Sequence, residues 1–462
     1  MKSGSMVTGS SSSLDMRKKG NEGEEDIFSK LPEFVVGHIL SLLPTKDAVR
    51  TSVLSKSWVS RWTFVNKLDL DDSVFYSPKK KTCGEQCFID FVNRALLLTK
   101  SSSLDSFSLV IGNEYDACLF ITWMTSILKR NVKNLRISSH FDFRLPFPPL
   151  TSRLLFESKL LEELEIKICS CAIRVPPVHV HFGCLKLLKL SGIIFTIESY
   201  VKLMCLRLPV LKKFETKNCV WLNAKCVNLE APLLESVHIE HDSKSALQEL
   251  LSFGIKISAL HLAEFTYCGY GLWQPIVLSD PSVAHNASAN IIIDQPVIGP
   301  TGYRAIMLLK QFSQVKHLKF DGSQVSTLKG VAGLPVFGML SHLELGLVTA
   351  AVLLGLLLKS PVLETLHFKG IFCFEQELLN SAVVPGCLGT TLRVVKFDNV
   401  SGLEHELCLA KFLMENGGVL ERMSFSLESE WLGKSKMIEE FKKKLFSFKK
   451  PFSLAIVEFS ND

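Results

Sequence analysis

The stretch that decides the fold is LEELEI at residues 161–166, which recurs as LKLLKL at residues 185–190. Both stretches place leucine or isoleucine at the first, fourth and sixth positions and a charged residue at the fifth. Residues two apart on a strand face the same side, so positions four and six predict one buried face. The fifth position then points to the opposite, solvent-facing side. The stretch therefore predicts a short, half-buried strand, and its recurrence predicts stacked strands of this kind.

The same apolar spacing returns along most of the chain. Successive repeats begin mostly 23 to 29 residues apart, the period of leucine-rich repeats. Val65, Leu68 and Leu70 are interpreted as an irregular first unit. The repeats begin at Leu104, Val132, Leu161, Leu185, Leu211, Leu234, Ile257, Val315, Leu340, Leu363, Leu392 and Leu420. The predicted fold class is α/β. Residues 66–384 form a leucine-rich repeat solenoid with a parallel sheet on its concave face and helices or irregular segments outside.

The weakest part of this array lies between Ile257 and Val315, where we expect one degenerate repeat with an aromatic, glycine-rich loop at residues 268–275. Two cysteines have a structural role in the prediction. Cys169 and Cys219 follow the first leucine of their repeats by eight residues. This position usually bonds the backbone of the neighbouring turn.

The N-terminal segment has a helical pattern instead. Leu31, Val35, Ile39 and Leu43 recur every four residues and form one apolar stripe. Pro44 ends this helix, Thr45 can cap a second, and a third stretch starts at Ser55. Three helices in so short a segment cannot bury all of their apolar side chains. The segment is therefore either a helical cap on the following domain or a surface that awaits a partner.

Specific motifs in this segment closely resemble the plant F-box motif. They are LPE at residues 31–33, HILSLLPTKDAVRTSVLSK at residues 38–56, and Trp58, with Ser57 where the family often has arginine. The resemblance implies a three-helix F-box over residues 26–65 that docks a Skp-type adaptor and, through it, a cullin. The residues expected at the adaptor are Leu31, Pro32, Ile39, Leu40, Leu43, Val49, Leu54 and Trp58.

The end of the chain resembles the FBD domain of plant F-box proteins with leucine-rich repeats. The matching residues are 385–388, 392–397, 409–416 and 419–423. We expect residues 385–462 to form an α/β cap that closes the open end of the solenoid core. The family implies no biochemical activity for this domain.

The fifth positions of the repeats form one predicted column on the concave sheet. This column is either an ordinary solvated sheet face or a stripe of mixed charge that binds a target protein. Charge reversal at Glu165 and Glu215 is expected to alter target binding and to leave the adaptor bound. The column consists of Glu165, Lys189, Glu215, His238, His261, Lys319, Glu344, His367 and Lys396.

Composition disfavours several other functions. The chain has 462 residues, a formal net charge of +6 and 13 cysteines. The mild charge predicts no nucleic-acid partner, and the cysteines lack the paired spacing of a zinc or redox site. Residues 1–25 are expected to be a disordered tail without the apolar stretch of a secretory signal. The most apolar window, residues 345–358, is too short to span a membrane. These features predict a chain of the cytoplasm, the nucleus or both.

No catalytic motif is found in the sequence. Phosphate-binding loops, nucleophile elbows and metalloprotease helices are all missing, and His179-Val180-His181 has no evident third metal ligand. We therefore expect no enzyme, metal or cofactor. Two functions remain open: a substrate-recognition subunit of a cullin–ubiquitin ligase, and a non-catalytic leucine-rich-repeat scaffold that is not coupled to ubiquitination.

Overall fold

One large parallel sheet takes strands from nearly the whole described part of the chain. The computed structural model describes residues 31–76, 81–142, 149–176, 179–242, 253–269, 272, 274–293, 301–322, 333–371, 383–427, 435–448 and 455–461. The predicted tail at residues 1–25 lies outside this part of the chain. With strands numbered in chain order, the main sheet runs β1 (Lys67–Asp71), β2 (Ser106–Ile111), β3 (Asn134–Asp142), β4 (Glu163–Arg174), β6 (Leu187–Val201), β8 (Lys213–Lys217), β11 (Ser236–His241), β13 (Glu264–Gly269), β15 (Ser288–Ile293), β16 (His317–Asp321), β17 (His342–Val348), β18 (Thr365–Ile371), β19 (Val394–Val400), β20 (Arg422–Leu427) and β21 (Ile456–Asn461), with β9 (Val220–Ala224) beside β6.

A second layer covers one face of this sheet. In the middle of the chain the layer is a five-stranded parallel sheet made of β5 (His179–His181), β7 (Met204–Arg207), β10 (Cys226–Glu230), β12 (Gly254–Ser258) and β14 (Ile276–Leu278). Elsewhere the chain returns from one strand to the next through helices: α3 (Lys81–Leu98), α4 (Ala117–Leu128), α5 (Pro149–Phe156), α6 (Thr301–Gln311), α7 (Ala350–Leu358), α8 (Gly386–Thr390), α9 (Glu404–Asn416) and α10 (Ser435–Phe448).

The hydrophobic core lies between the two layers. Along β11, for example, Val237 and Ile239 are buried, whereas His238 between them is partly exposed. The inward side chains of successive strands meet one another, and the repeated apolar positions thereby form one continuous core. This arrangement confirms the predicted leucine-rich repeat solenoid. It leaves the other face of the main sheet, called the open face below, uncovered by the second layer.

The N-terminal segment folds into α1 (Glu33–Leu40) and α2 (Thr45–Arg50), followed by short 3-10 turns at Thr51–Val53, Lys56–Trp58 and Arg61–Phe64. The predicted third helix is therefore a series of 3-10 turns. Trp62 is buried within them, and Trp58 packs half-buried against the core. Further 3-10 turns lie at Asp72–Phe75 and Pro281–Asn286.

No break in the sheet marks the start of the FBD-like region at residue 385. Strand β18 pairs in register with β19, and a row of phenylalanines continues across this boundary. The ring centroids are 4.3 Å apart for Phe368 and Phe397, 4.6 Å for Phe397 and Phe425, and 5.1 Å for Phe425 and Phe459. The C-terminal region thus extends the same solenoid.

The two cysteines with a predicted structural role, Cys169 and Cys219, differ in their burial. Cys219 is buried, and burial raises the pKa of its thiol to about 12. Its sulfur lies 3.5 Å from the carbonyl oxygen of Lys217 and also interacts with the backbone of Gly192 and Ile193 on the neighbouring strand. The prediction for Cys219 is confirmed. The prediction for Cys169 is wrong, because that side chain is exposed.

Candidate functional site

One side of the N-terminal segment is buried against the solenoid. Val36 and Leu40 on α1 are 2% and 3% exposed. Gly37 lies between them, and a Cβ atom there would stand 2.4 Å from the carbonyl oxygen of Phe64. The helix can therefore approach the turn at Arg61–Phe64 only because residue 37 has no side chain.

Polar contacts fix this segment to the first strand of the sheet. The Ser41 hydroxyl oxygen accepts a hydrogen bond from the Asn66 amide at 3.1 Å, and that of Thr45 accepts one from the Asp69 amide at 2.6 Å. Lys46 donates to the carbonyl oxygen of Val74 at 2.6 Å. The predicted capping role of Thr45 is wrong, since its hydroxyl joins α2 to β1 and Pro44 occupies the N-cap position.

The opposite side of the segment exposes large apolar side chains. The exposed fraction reaches 86% for Val53 and 75% for both Phe34 and Leu42. Such a concentration within about 25 residues is unusual for a surface that faces only water. We call this set the N-terminal apolar surface; it comprises Phe34, Ile39, Leu42, Leu43, Val53, Leu54 and Val59.

The residues predicted to contact an adaptor are only partly on this surface. Ile39, Leu43 and Leu54 belong to it, and Pro32 is exposed nearby. Leu31, Val49 and Trp58 are half-buried against the core. The predicted adaptor contact of Leu40 is wrong, because this side chain is buried in the core and is not available to a partner.

Four members of the surface were missed by the sequence analysis: Phe34, Leu42, Val53 and Val59. The sequence did not show how the apolar side chains of α1 divide between the solenoid core, which takes Val36 and Leu40, and the exposed surface. Phe34 does not belong to the predicted apolar stripe. An apolar residue on the otherwise polar side of a short helix was the signal that could have identified it.

The predicted polar column exists on the open face, and eight of its nine members lie in register. Glu165 pairs with Lys189, Lys189 with Glu215, and Glu215 with His238. The column resumes with Lys319, Glu344, His367 and Lys396 on β16 to β19. Further members, which the prediction did not include, are Asp69, Ser108, Arg136, Thr266, Asn290, Ser424 and Glu458.

His261 is the member that the structure contradicts. The repeat predicted to begin at Ile257 actually begins at Leu262, and Thr266 takes the column position next to His238. Ile257 lies instead on β12 of the second sheet. Arg136 and Ser424 follow Val132 and Leu420 by four residues, as the other members follow their first apolar residue, so this spacing could have identified them.

Ion pairs connect neighbouring strands across the open face. The Glu215 carboxylate lies 3.0 Å from the Lys189 ammonium and 2.8 Å from that of Lys213. Burial opposes the charged form of Glu215, but hydrogen bonds from these two lysines outweigh it and lower its pKa. Lys217 and Glu240 form a similar pair at 2.6 Å. Much of the charge in the middle of the column is therefore already balanced within the protein.

Two grooves lie on either side of this paired stretch. The first, of about 290 Å³, is polar and lies over β1 to β4, with Asp69, Arg136 and Glu165 in its lining. The second, of about 350 Å³, lies over β15 to β18. We call it the histidine groove, because His317, His342 and His367 line it. The Asn290 carboxamide oxygen is buried and has no hydrogen-bond partner among the residues that the structure describes.

Within the described residues, no group of three or more His, Cys, Asp or Glu side chains is arranged to hold a metal ion. His181, part of the histidine pair singled out in the sequence, lies on the edge strand β5 and is exposed. Among the described helices, none is long and apolar enough to cross a membrane.

Comparisons with known proteins agree with this architecture. A family model described as the F-box domain matches residues 28–69, and one described as FBD matches residues 380–425. The first covers the N-terminal apolar surface and the first three residues of β1. The second covers the region in which β19 and β20 extend the sheet.

Relatives from Arabidopsis thaliana match over most of the chain. The F-box/LRR-repeat protein At4g14103 is 30% identical over 76% of this chain and 93% of its own length. The F-box/FBD/LRR-repeat protein At3g14710 is 28% identical over 95% of each chain, and the F-box/LRR-repeat protein At4g14096 is 28% identical over 87% of this chain and 88% of its own. The chain belongs to the family of plant F-box proteins with leucine-rich repeats and an FBD domain. Proteins of this family are generally non-catalytic substrate adaptors, and no catalytic family is indicated.

Proposed function

We propose that the chain is the substrate-recognition subunit of a Skp-cullin-F-box ubiquitin ligase. Its N-terminal apolar surface docks a Skp-type adaptor and, through it, a cullin, while the open face of the solenoid holds a target protein. The chain itself does not catalyse the formation of a covalent bond. It raises the effective concentration of the target's lysines near a ubiquitin-loaded conjugating enzyme, in the cytoplasm or the nucleus.

The observation that carries this proposal is the N-terminal apolar surface. Seven large apolar side chains are exposed on a segment whose other side is anchored to the solenoid core. Apolar surface that is held rigidly in water is stabilised when a partner covers it. F-box domains generally bind Skp1-type adaptors, which supports a Skp-type adaptor as the partner proposed here.

The test is co-purification of a Skp-type adaptor with Val53→Asp and Leu97→Asp variants of the full chain. Val53 is 86% exposed on the N-terminal apolar surface, and Leu97 is 81% exposed on α3, outside it. Neither substitution places a charge in the core. A charge buried without a partner in an apolar interface costs several kcal/mol, so Val53→Asp is expected to reduce adaptor binding at least about tenfold. Leu97→Asp is expected to bind normally.

Undiminished adaptor binding by the Val53→Asp variant would contradict the proposal. So would the absence of adaptor binding by the unaltered chain. Either result would favour the alternative, a leucine-rich-repeat scaffold that is not coupled to ubiquitination.

A further inference from the structure

The charge of the histidine groove is set by its imidazoles. His317, His342 and His367 come from three successive strands, and the two formally charged lining residues, Lys319 and Glu344, form an ion pair with each other. This pair contributes no net charge. His367 faces the Asp398 carboxylate, which would balance a proton on that ring, so the groove gains net positive charge when His317 or His342 takes up a proton.

Two of these histidines form a stacked pair. His317 and His342 lie opposite each other in register on β16 and β17, with ring centroids 4.5 Å apart and planes tilted by 31°. Both side chains are exposed. Partial desolvation in the groove, the neighbouring His342 ring and Lys316 together lower the pKa of His317, and two positive charges at this separation would repel each other. These effects favour the uncharged form of His317 when no ligand is bound.

The groups around the stacked pair do not supply a counter-charge. Glu344 is held by Lys319, and the Asp398 carboxylate lies 2.5 Å from Nε2 of His367. The neighbouring residues Ser288 and Asn290 on β15 and Thr365 on β18 are uncharged, and Lys316, which precedes β16, is positively charged. The Ser341 hydroxyl lies 2.9 Å from Nδ1 of His342. The described residues that line the groove thus offer the imidazole pair no carboxylate that is not already paired.

We propose that the histidine groove binds a segment of the target protein that carries carboxylates, with an aspartate or glutamate side chain placed against His317 and His342, and that binding is coupled to proton uptake. This inference rests on the proposed function, because it takes the open face as the target-binding surface. A bound carboxylate stabilises the imidazolium form and removes the penalty for charging one of two stacked rings.

A carboxylate fits this groove better than a phosphate group. Phosphate recognition usually relies on arginine forks or free lysines. The described lining residues include no arginine, and the lysine among them is already paired with Glu344. The Glu344 charge would repel a doubly charged phosphate more strongly than a single carboxylate.

The experiment measures the affinity of the full chain for an acetylated, amidated hexaglutamate peptide at pH 7.5 and pH 6.0 and constant ionic strength. Glutamate side chains are ionised at both values, since their ordinary pKa is about 4.3. Each proton taken up on binding raises affinity by up to about tenfold per pH unit between the free and bound pKa of the histidine. We expect binding to be about tenfold tighter at pH 6.0, with calorimetry in two buffers showing uptake of roughly one proton.

The double variant His317→Gln with His342→Gln is expected to lose this pH dependence. The matched control is His181→Gln, because His181 is exposed on the edge strand β5 of the second sheet and lies outside the column and the groove. Three results would overturn the inference: no peptide binding at either pH, unchanged pH dependence in the double variant, or tighter binding of a hexaphosphoserine peptide. Failure of the proposed function would appear in a different experiment, in which the unaltered chain would not co-purify with a Skp-type adaptor.

Discussion

A single buried carboxylate joins the first two repeats. Asp72 is 1% exposed at the end of β1. Its oxygens accept hydrogen bonds from the amides of Gly112 and Asn113, both at 2.9 Å, from the Asn113 side chain at 3.0 Å, and from the Tyr115 hydroxyl at 3.3 Å. A charge at this depth is tolerated because several donors surround it.

Replacing Asp72 by alanine is expected to destabilise the protein by roughly 3 kcal/mol or more, because buried donors lose their acceptor. The exposed Glu114 lies in the same loop, so Glu114→Ala is the matched control and is expected to have little effect. Thermal unfolding midpoints of both variants check this. Equal midpoints would show that Asp72 does not hold the two repeats together.

A buried histidine predicts how stability changes with pH. Burial lowers the pKa of His241 from 6.5 to about 4, and its Nε2 atom lies 2.8 Å from the Gln274 side-chain nitrogen. The unfolded chain binds this proton more readily than the folded one. Stability is therefore full above pH 6.5 and is lost as pH falls from about 6.5 towards 4, by at most about 1.4 kcal/mol per pH unit.

Urea unfolding of the unaltered chain and of a His241→Asn variant at pH 7, 6 and 5 tests this prediction. The variant is expected to be less stable at pH 7, since it leaves a gap beside Gln274, and to lose less stability on acidification. The same loss in both proteins would contradict a neutral, buried His241.

At the scale of single elements, Gly192 allows β6 to continue beyond its contact with β8. Its φ angle is +71°, and an added Cβ would lie 2.1 Å from the carbonyl oxygen of Ile168. The register between β4 and β6 shifts at this point, and the distal part of β6 pairs with β9. The glycine therefore permits a bulge that other residues would strain.

The Gly192→Ala variant is expected to lose at least about 2 kcal/mol of stability, from the left-handed backbone and the contact with Ile168. Gly183→Ala is the control, because the nearest atom to its Cβ, Nε2 of His181, would be 3.6 Å away. Urea unfolding midpoints compare the two. A control as unstable as the Gly192 variant would argue against a special role for the bulge.

Alternation of apolar and polar residues predicted most strands of the main sheet, because each buries one face. It failed where that signal was ambiguous. The segment from Ile257 to Leu262 joins the end of β12 to the start of the next repeat, and it happens to have the repeat spacing. Strand β15 was not counted as a repeat because Asn286 takes the position of the first leucine.

The second sheet was not predicted, since its strands have only three to five residues and no periodicity distinct from a loop. The candidate sites could likewise be predicted only in part from the sequence. The column could be predicted from spacing alone. The ion pairs within it, and the division of the α1 side chains between core and surface, depend on contacts between segments that are distant in sequence.

At the scale of the whole molecule, the chain has two surfaces at different places on one continuous core. The N-terminal apolar surface is anchored to β1 by Ser41 and Thr45, and the open face runs from β1 to β21. A rigid connection of this kind would hold a bound target at a set distance from a bound adaptor. The two binding events should therefore be separable by substitution.

The most direct test is affinity purification from plant cells with the proteasome blocked, comparing three variants of the full chain. The double reversal Glu165→Lys with Glu215→Lys alters the open face, and Val53→Asp alters the N-terminal apolar surface. The control reversal Glu157→Lys with Glu415→Lys also breaks ion pairs, but Glu157 directly follows α5 and Glu415 lies on α9. We predict that the open-face variant loses the target and keeps the adaptor, that Val53→Asp does the reverse, and that the control keeps both. An open-face variant that retains its target, or a Val53→Asp variant that retains its adaptor, would contradict the account.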